Sequence, residues 1–407
     1  MLEHQLIGYL DSVRAKQPLP IRVKLWNDHV INLDPNPLVT IVLRRPWAAR
    51  YLFNPSLDAL GSAYVEGEIE IEGSVRDMMR VADILAKQGS KPDERGTRPA
   101  FWWTRHSKKS DIEAIQHHYD VSNQFYSYWL DRDMVYSCAY FRSGDESLEQ
   151  AQQQKLDLVC RKLMLQPGDR LLDIGCGWAA LVIHAALHYQ VKATGITLSR
   201  QQLEFGRDRL RALGLEHAIE LRLQDYRDLD ASERFDKIAS VGMFEHVGLR
   251  HLKSYFDVLY RLLSPGGIAL NHGITASDAD SRSVGQGGGK FIDKYVFPNG
   301  ELPHLSLAIA QMSRAGLEVT DVESLRRHYA KTLWHWSDRY EQNLDLLRNL
   351  AGEKRARVWR IYLAGCAHAF ASGWINIYQV QAIKPKVKSS GQTSPLPLSR
   401  DYLFSPP

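Results

Sequence analysis

The order of apolar and polar residues differs between the first 88 residues and the rest of the chain. In the first part, apolar and polar side chains alternate, which predicts short strands at 21–26, 40–44 and 64–73. Ser74 then stands where it can cap a helix through Lys87. Because no catalytic constellation occurs in this part, we interpret residues 1–88 as a small N-terminal α+β domain for docking or dimerisation, with a lipid-related role left open.

Later in the chain, helical periods alternate with short apolar runs. The helical pattern predicts helices at 148–165, 198–213, 252–263 and 353–372. The apolar runs predict strands at 171–174, 191–197, 219–223, 235–241, 268–274 and 319–325. Strands that alternate with helices form a mostly parallel sheet flanked by helices, and ligands bind at the carboxyl ends of its strands. The predicted fold class is therefore α/β and Rossmann-like.

Composition divides the chain further. Residues 89–109 are rich in Gly, Pro, Ser and charged side chains and are interpreted as a linker. Residues 110–384 form the main domain. Residues 385–407 are rich in Pro, Ser and Lys, and we expect them to be a disordered tail.

The turn after the first strand of the main domain carries Asp173, Gly175 and Gly177. Glycines allow backbone N–H groups to approach a ligand closely. The N-terminus of the helix that follows favours a negative or electron-rich group of that ligand. Taken alone, Gly-x-Gly also fits a dinucleotide site. A carboxylate two residues before the first glycine repels a pyrophosphate, and the strand ending at Thr197 provides no acid for a ribose hydroxyl. S-adenosylmethionine (SAM), with its ammonium and sulfonium groups, therefore fits better than NAD.

Charge and cysteine content limit the expected binding partners and the expected cellular compartment. The 407 residues carry a formal charge of only +4, which permits contact with an anionic surface but does not indicate nucleic acid. The four cysteines form no C-x-x-C pair, so reduced thiols in the cytoplasm are expected. No apolar run approaches the roughly 18 residues of a membrane span, and Met1–Leu10 does not resemble a signal peptide. Contact with lipid is thus expected from the surface.

Two clusters near the predicted helices have alternative interpretations. Phe101-Trp102-Trp103, beside Arg105 and Lys108, is either an interfacial patch for anionic lipid or a packing segment, and both remain open. The basic residues Lys354, Arg355, Arg357 and Arg360 are interpreted as a solvated helix face, and Trp334 and Trp336 as core residues.

Candidate chemistry lies at the ends of the later strands. Glu245 and His272 follow two strands, while Cys138 precedes the sheet and Tyr329 follows its last predicted strand. Together they can hold a small polar or anionic group and move a proton. The alternatives are that Cys138 is a buried small hydrophobe and that His272 is a core histidine. The pair His117-His118 has no matching carboxylate, so no metal site is predicted.

These residues occur in segments that resemble one family, the cyclopropane-fatty-acyl-phospholipid synthases and their mycolic acid relatives. The N-terminal part is similar to that of the bacterial two-domain enzymes. The matching segments are His118-Tyr119-Asp120, Tyr136 to Phe141, Leu172 to Trp178, Gly195 to Ser199 with Gln202, Ser240 to Gly248, and Phe291 to Gly300.

The resemblance implies a role for each site residue. SAM would be bound by Tyr136, Ser137, Asp173, Gly175, Gly177, Thr197 and Gln202, with Asp225 and Tyr226 near the adenine. A bicarbonate ion would be bound by Cys138, Glu245, His272 and Tyr329, and by Ile274 through its backbone. The family usually has Gly where this chain has Ala179, and a methyl group there is tolerated if the helix has already begun.

The same resemblance implies that a methylene passes from SAM across the cis double bond of unsaturated acyl chains in membrane phospholipids, with bicarbonate as the base. Helical additions would cover the acyl site, and the protein would associate peripherally with the inner face of the membrane, with a homodimer left open. The alternatives are methyl or methylene transfer to an acyl chain or small amine without ring closure, and a non-catalytic lipid-binding protein.

Overall fold

The computed structural model describes residues 2–16, 19–53, 55–89, 122–281, 289–296, 300–388 and 391–404. The helices are α1 (Leu2–Lys16), α2 (Arg50–Phe53), α3 (Leu57–Val65), α4 (Val75–Gly89), α5 (Asn123–Ser127), α6 (Leu148–Lys162), α7 (Ala180–Tyr189), α8 (Arg200–Leu213), α9 (Leu252–Leu262), α10 (Gly289–Tyr295), α11 (Leu305–Arg314), α12 (Arg326–Gln342), α13 (Leu344–Ala351) and α14 (Glu353–Ala371). The linker predicted at 89–109 falls, apart from Gly89, outside these residues, as do the Phe101-Trp102-Trp103 segment and the His117-His118 pair.

Thirteen strands occur in the described part of the chain. They are β1 (Ile21–Lys24), β2 (Val30–Asn32), β3 (Val39–Leu43), β4 (Ile69–Glu72), β5 (Arg170–Ile174), β6 (Lys192–Thr197), β7 (Ile219–Leu223), β8 (Phe235–Val241), β9 (Leu263–Ala276), β10 (Glu318–Ser324), β11 (Ile375–Ile383), β12 (Lys386–Lys388) and β13 (Gly391–Thr393).

The main sheet has the order β10-β11-β9-β8-β5-β6-β7. Neighbours from β9 to β7 are parallel, while β11 is antiparallel to both β9 and β10. Leu171 packs into the apolar cluster on one face of the sheet and Leu172 into the cluster on the other, because successive side chains of a strand point to opposite faces. The predicted α/β class with a mostly parallel sheet is confirmed.

Helices cover the edge of the sheet where its parallel strands end. Side chains from α5, α12 and α14 form a third, strongly aromatic cluster that includes Trp129, Trp336, Tyr340 and Trp359. Trp336 is fully buried, as predicted for a core residue, whereas Trp334 is only partly buried and lies against Arg76. The cluster covers the carboxyl ends of the parallel strands with apolar side chains.

The N-terminal residues form their own four-stranded sheet, in the order β2-β1-β3-β4, with helices packed on it. Ser74 caps α4, since its hydroxyl accepts from the Asp77 N–H at 3.1 Å. The prediction of one strand over 64–73 is wrong in its first half. Ser56 caps α3 through the Ala59 N–H, and Tyr64 and Val65 are buried on this helix before β4 begins at Ile69.

Two interpretations of the C-terminal part also differ from the structure. Arg357 is buried, and its guanidinium donates to the Tyr64 carbonyl at 2.8 Å and pairs with Glu70 at 2.6 Å. On the basic face of α14, Arg357 and Arg360 therefore bind the N-terminal domain, whereas Lys354 and Arg355 are exposed to solvent as expected. In the stretch expected to be disordered, β12 pairs with β13, and Leu403 is buried.

Candidate functional site

The turn between β5 and α7 places backbone atoms at the carboxyl edge of the sheet. Gly175 has φ +82° and Gly177 has φ +54°, a left-handed conformation that glycine adopts without a steric cost. A Cβ on Gly175 would also lie 3.2 Å from the Cβ of Met243. The turn thus requires glycine at Gly175 for conformation and for space.

Ala179 corrects the expectation that the helix has already begun at this position. It lies just before α7, with φ +71° and ψ +16°, and its side chain is fully buried. A left-handed conformation costs a non-glycine residue about 1–2 kcal/mol. The buried methyl group offsets part of this cost, since burying one such group contributes about 0.8 kcal/mol.

All nine residues predicted to bind the cofactor line one cavity beside this turn. They are Tyr136, Ser137, Asp173, Gly175, Gly177, Thr197, Gln202, Asp225 and Tyr226. Thr197 donates from its hydroxyl to Gln202 Oε1 at 2.8 Å, which fixes both side chains at the end of β6. The Asp225 carboxylate pairs with Arg227 at 2.7 Å. The structure therefore brings the predicted set together from four separate parts of the chain.

Asp173 is the buried acid of this cavity. It is 2% exposed, and its Oδ1 atom has no hydrogen-bond partner within the described residues. Burial raises the pKa of the Asp173 carboxyl to about 7, although the Lys155 ammonium opposes the shift. A cationic ligand group at Oδ1 would supply the missing partner and stabilise the ionised form.

A second cavity, with a volume of about 380 Å³, lies on the other side of Tyr136 and Ser137. All five residues predicted to be catalytic line it: Cys138, Glu245, His272, Ile274 and Tyr329. Apart from these, its lining is largely apolar and aromatic, with Phe291, Tyr362, Phe370 and Trp374 among its residues. The polar side chains of Glu245 and His272 therefore line a cavity whose other walls are mostly apolar.

Glu245 lies in the short 3-10 turn after β8. Its Oε1 atom accepts from the Ile274 N–H at 2.7 Å, and its buried Oε2 atom has no partner in the described chain. Burial raises the pKa of this carboxyl to about 7, against the effect of the Ile274 hydrogen bond. The Ile274 N–H expected to bind an anion is thus used to orient Glu245, and a protonated Glu245 could itself donate to an anion.

His272, on β9, is 1% exposed and keeps a neutral ring, because burial lowers its pKa well below the usual value. Its Nδ1 atom lies 3.1 Å from the amide nitrogen of Gln379 on β11. An amide nitrogen can only donate, so this arrangement assigns the ring proton to Nε2. Nε2 itself has no partner in the part of the chain described, so it is available to donate to an anion in the cavity.

The other two predicted residues complete this end of the cavity. Burial raises the pKa of the Cys138 thiol, which stays protonated and contacts the carbonyl oxygen of Ala139 at 3.2 Å. Tyr329 is 9% exposed, with its ring 4.7 Å from that of Phe370 and 5.9 Å from that of Trp336. Neither residue is placed as a nucleophile.

The two cavities share a wall. Tyr136, Ser137, Gly242 and His246 line both of them. The two cavities are therefore adjacent at these four residues, a boundary that the sequence analysis did not predict.

Two residues of the site escaped the sequence analysis. Lys155 is 2% exposed and donates to Ser137 Oγ at 2.9 Å in the cofactor cavity. A signal was present, because Lys155 lies at helical spacing between Leu148 and Val159, which are on the buried face of α6. Gln379 gave no such signal, because the strand that contains it, β11, was not predicted.

No group of three or more His, Cys, Asp or Glu side chains suited to a metal ion occurs in the part of the chain that is described. Likewise, none of the helices searched within those bounds is long and apolar enough to cross a membrane.

The strand order, the glycine turn and the cavity beside it define a SAM-dependent methyltransferase. A sequence model described as mycolic acid cyclopropane synthetase matches residues 106–380, and the chain belongs to this family. Residues 9–90 match a model described only as a domain of unknown function.

Individual proteins agree with this assignment. A probable fatty acid methyltransferase of Pseudomonas putida is 52% identical over 385 residues, which cover 93% of this chain and 96% of that protein. The cyclopropane-fatty-acyl-phospholipid synthase of Escherichia coli is 40% identical over 67% of this chain and 68% of its own. The structure of mycolic acid cyclopropane synthase CmaA1 with SAH and CTAB has a TM-score of 0.64 at 36% identity, over 67% of this chain and 98% of that one.

Proposed function

We propose that this enzyme transfers a methylene group from SAM to the cis double bond of an unsaturated phospholipid acyl chain and closes a cyclopropane ring. The shared wall of the two cavities is the observation that carries the proposal. A methyl donor held beside Asp173 and an acyl chain held beside Glu245 would meet at Tyr136, Ser137, Gly242 and His246.

The reaction needs a closed, apolar site. The alkene electron pair forms a bond to the methyl carbon while the carbon–sulfur bond breaks, which leaves a carbocation on the acyl chain. Water would capture this cation, and the largely apolar second cavity reduces the access of water. The aromatic faces of Tyr136 and Tyr329, which both line this cavity, stabilise positive charge.

Ring closure requires that a proton leave the new methyl group while its C–H electron pair forms the last ring bond. Bicarbonate, when bound, supplies a small base for this purpose. The unpartnered Oε2 of Glu245 and Nε2 of His272 fit such an anion, because the first donates when protonated and the second carries the ring proton. In this account Glu245 and His272 hold the base, and Ile274 holds Glu245.

A second candidate function is methylation of the acyl chain without ring closure. The name of the 52% identical relative, a probable fatty acid methyltransferase, favours it. In that reaction a hydride shifts from the methyl-bearing carbon to the cationic carbon, and the new methyl group then loses a proton while its C–H electron pair forms a methylene double bond. The same two cavities would serve both reactions.

The surface of the N-terminal domain supports action on phospholipid at a bilayer. Arg44, Arg45 and Arg50 are exposed beside Trp47 and Phe53, although Arg44 also pairs with Glu70 and Arg50 with Glu68. The Arg50 guanidinium lies 5.0 Å from the Trp47 ring. Exposed arginines attract anionic headgroups, and tryptophan favours the membrane interface. This basic aromatic surface immediately precedes α3, which lines the second cavity.

The test is lipid analysis of a host with and without the expressed protein. We expect unsaturated acyl chains to gain one CH₂ and to give the proton NMR signals of a cyclopropane ring. Cyclopropane and methylene products have the same mass, so NMR decides between them. Olefinic methylene signals would support the second function, and unchanged acyl chains would contradict both.

A further inference from the structure

The cavity that contains Glu245 and His272 extends beyond the main domain. Its wall continues along the N-terminal domain, with residues from β3, α3, β4 and α4. The family match begins at residue 106, and the CmaA1 structure covers 67% of this chain but 98% of its own. The continuation of the cavity is therefore built by a part of this chain that lies outside that match.

The N-terminal domain is held against the main domain by several specific contacts. The Phe291 N–H donates to Asp58 Oδ1 at 2.9 Å, and the Tyr295 hydroxyl donates to Glu66 at 3.0 Å. Gly61 packs so closely on Phe291 that an added Cβ would lie 3.2 Å from the ring. These contacts involve α3 and α10 and fix one side of the cavity wall.

The chemistry of this wall selects hydrocarbon. Its members from the N-terminal domain are apolar apart from Asp58, whose carboxylate accepts the Phe291 N–H. On α4, Met78, Ala82 and Leu85 follow one another at helical spacing and line the same cavity. No lysine or arginine lines this part of the wall within the described residues, so it does not suit a phosphate headgroup.

We propose that the N-terminal domain forms part of the substrate site and sets the acyl-chain length, with α3 and α4 receiving a hydrocarbon arm remote from the reacting carbons. The inference rests on the proposed function, because it takes the acyl chain as the occupant of the second cavity. Continuity of that cavity from Glu245 to Leu85 is the observation behind it.

The experiment measures kcat/KM on phospholipids in two series. One series adds methylene groups on the carboxyl side of the double bond, and the other adds them on the methyl side. Ala82→Phe reduces the space at the wall, and Leu85→Ala enlarges it. Val30→Phe is the matched control, because Val30 is an exposed residue of the same domain that does not line the cavity.

We expect an effect only in the series whose added methylene groups extend toward α4. In that series, Ala82→Phe should lower kcat/KM for the longest chains relative to the shortest by roughly tenfold, since each methylene group that is kept from burial lowers kcat/KM about fourfold. We expect Leu85→Ala to shift the preference to longer chains in that series, and Val30→Phe to leave it unchanged. The affinity for SAM should stay constant in all three variants.

An unchanged length profile in both series for both Ala82→Phe and Leu85→Ala would overturn the inference. A protein that acts on no acyl chain gives a different result, because the wild-type protein would then turn over no acyl substrate. In that case, the affinity for fatty acids of increasing length would test whether the N-terminal domain sets the chain length. The same length preference in Ala82→Phe and in the wild-type protein would reject the inference.

Discussion

Two buried carboxyl groups, those of Asp173 and Glu245, are in the same physical state in different cavities. Each has one oxygen without a partner among the described residues, and burial raises the pKa of each to about 7. Ligand-free protein therefore maintains two acids that change protonation near neutral pH. A buried carboxyl group with an unpartnered oxygen destabilises the folded protein unless a ligand supplies the missing partner. We therefore assign both groups to binding and catalysis.

Asp173 gives a prediction about cofactor affinity. The ionised carboxylate binds a cationic group, whereas the raised pKa keeps part of the free protein protonated, so the affinity for SAM should increase from about pH 6 to pH 7.5. Asp173→Asn should lower the affinity by roughly 10–100-fold and remove most of this pH dependence. Titration calorimetry measures both effects.

Asp208→Asn is the control for this measurement, because Asp208 is an exposed residue paired with Arg211 and does not line the cavity. An affinity of Asp173→Asn equal to that of the wild-type protein would remove Asp173 from the cofactor site.

At the scale of elements, the five parallel strands are predictable because strands buried on both faces carry nearly continuous apolar runs. β11 is harder to predict, since Gln379 and Gln381 lie within it and are nonetheless buried. Tertiary contacts make this possible: Gln379 bonds to His272, and Gln381 bonds to the main chain of α6. The sequence does not contain these partners as a local signal.

Part of the candidate site is predictable for a related reason. Asp173, Gly175 and Gly177 lie at the end of β5 and in the turn after it, and Glu245 follows β8. Cys138 precedes the sheet and Tyr329 lies on α12, so their assignment relied on the family resemblance. Ala179 shows the limit, because its backbone conformation depends on the whole turn, and the conformation cannot be inferred from its being alanine.

The basic face of α14 gives a prediction about stability. Arg357→Ala removes the hydrogen bond to the Tyr64 carbonyl and the ion pair with Glu70, which keep the Gly67 N–H and Arg44, respectively, as partners, so we expect a loss of about 1–3 kcal/mol in the free energy of unfolding. Urea unfolding measures it. Arg355→Ala on the exposed side of the same helix should change this value by less than about 0.5 kcal/mol. Equal losses in the two variants would contradict the assigned interface.

At the scale of the whole molecule, the second cavity is lined by residues of both domains, while the first cavity is lined only by residues of the main domain. Under the proposed function, this arrangement would separate presentation of an electrophilic methyl group from recognition of the chain that accepts it. The basic aromatic surface of the N-terminal domain lies next to α3, which lines the second cavity, so the proposed membrane contact and the proposed acyl-chain binding would involve the same domain.

That surface gives a prediction about vesicle binding. Arg44→Glu with Arg50→Glu should weaken binding to vesicles that contain phosphatidylglycerol by at least about tenfold, because each basic group near an anionic surface contributes about 1 kcal/mol. Cosedimentation measures the binding. Arg211→Glu with Lys253→Glu reverses two exposed charges on the main domain and should have a smaller effect. Equal weakening by both pairs would reject this surface as the membrane contact.

The central claim is that a methyl donor and an acyl chain react across the wall shared by the two cavities, with Glu245 holding the base. The most direct measurement uses SAM with a trideuterated methyl group and vesicles of unsaturated phospholipid. The account predicts a ring that retains two of the three deuterium atoms, and a loss of turnover of at least about a hundredfold in Glu245→Ala with SAM affinity unchanged. Retention of all three deuterium atoms in the product, or full activity of Glu245→Ala, would contradict it.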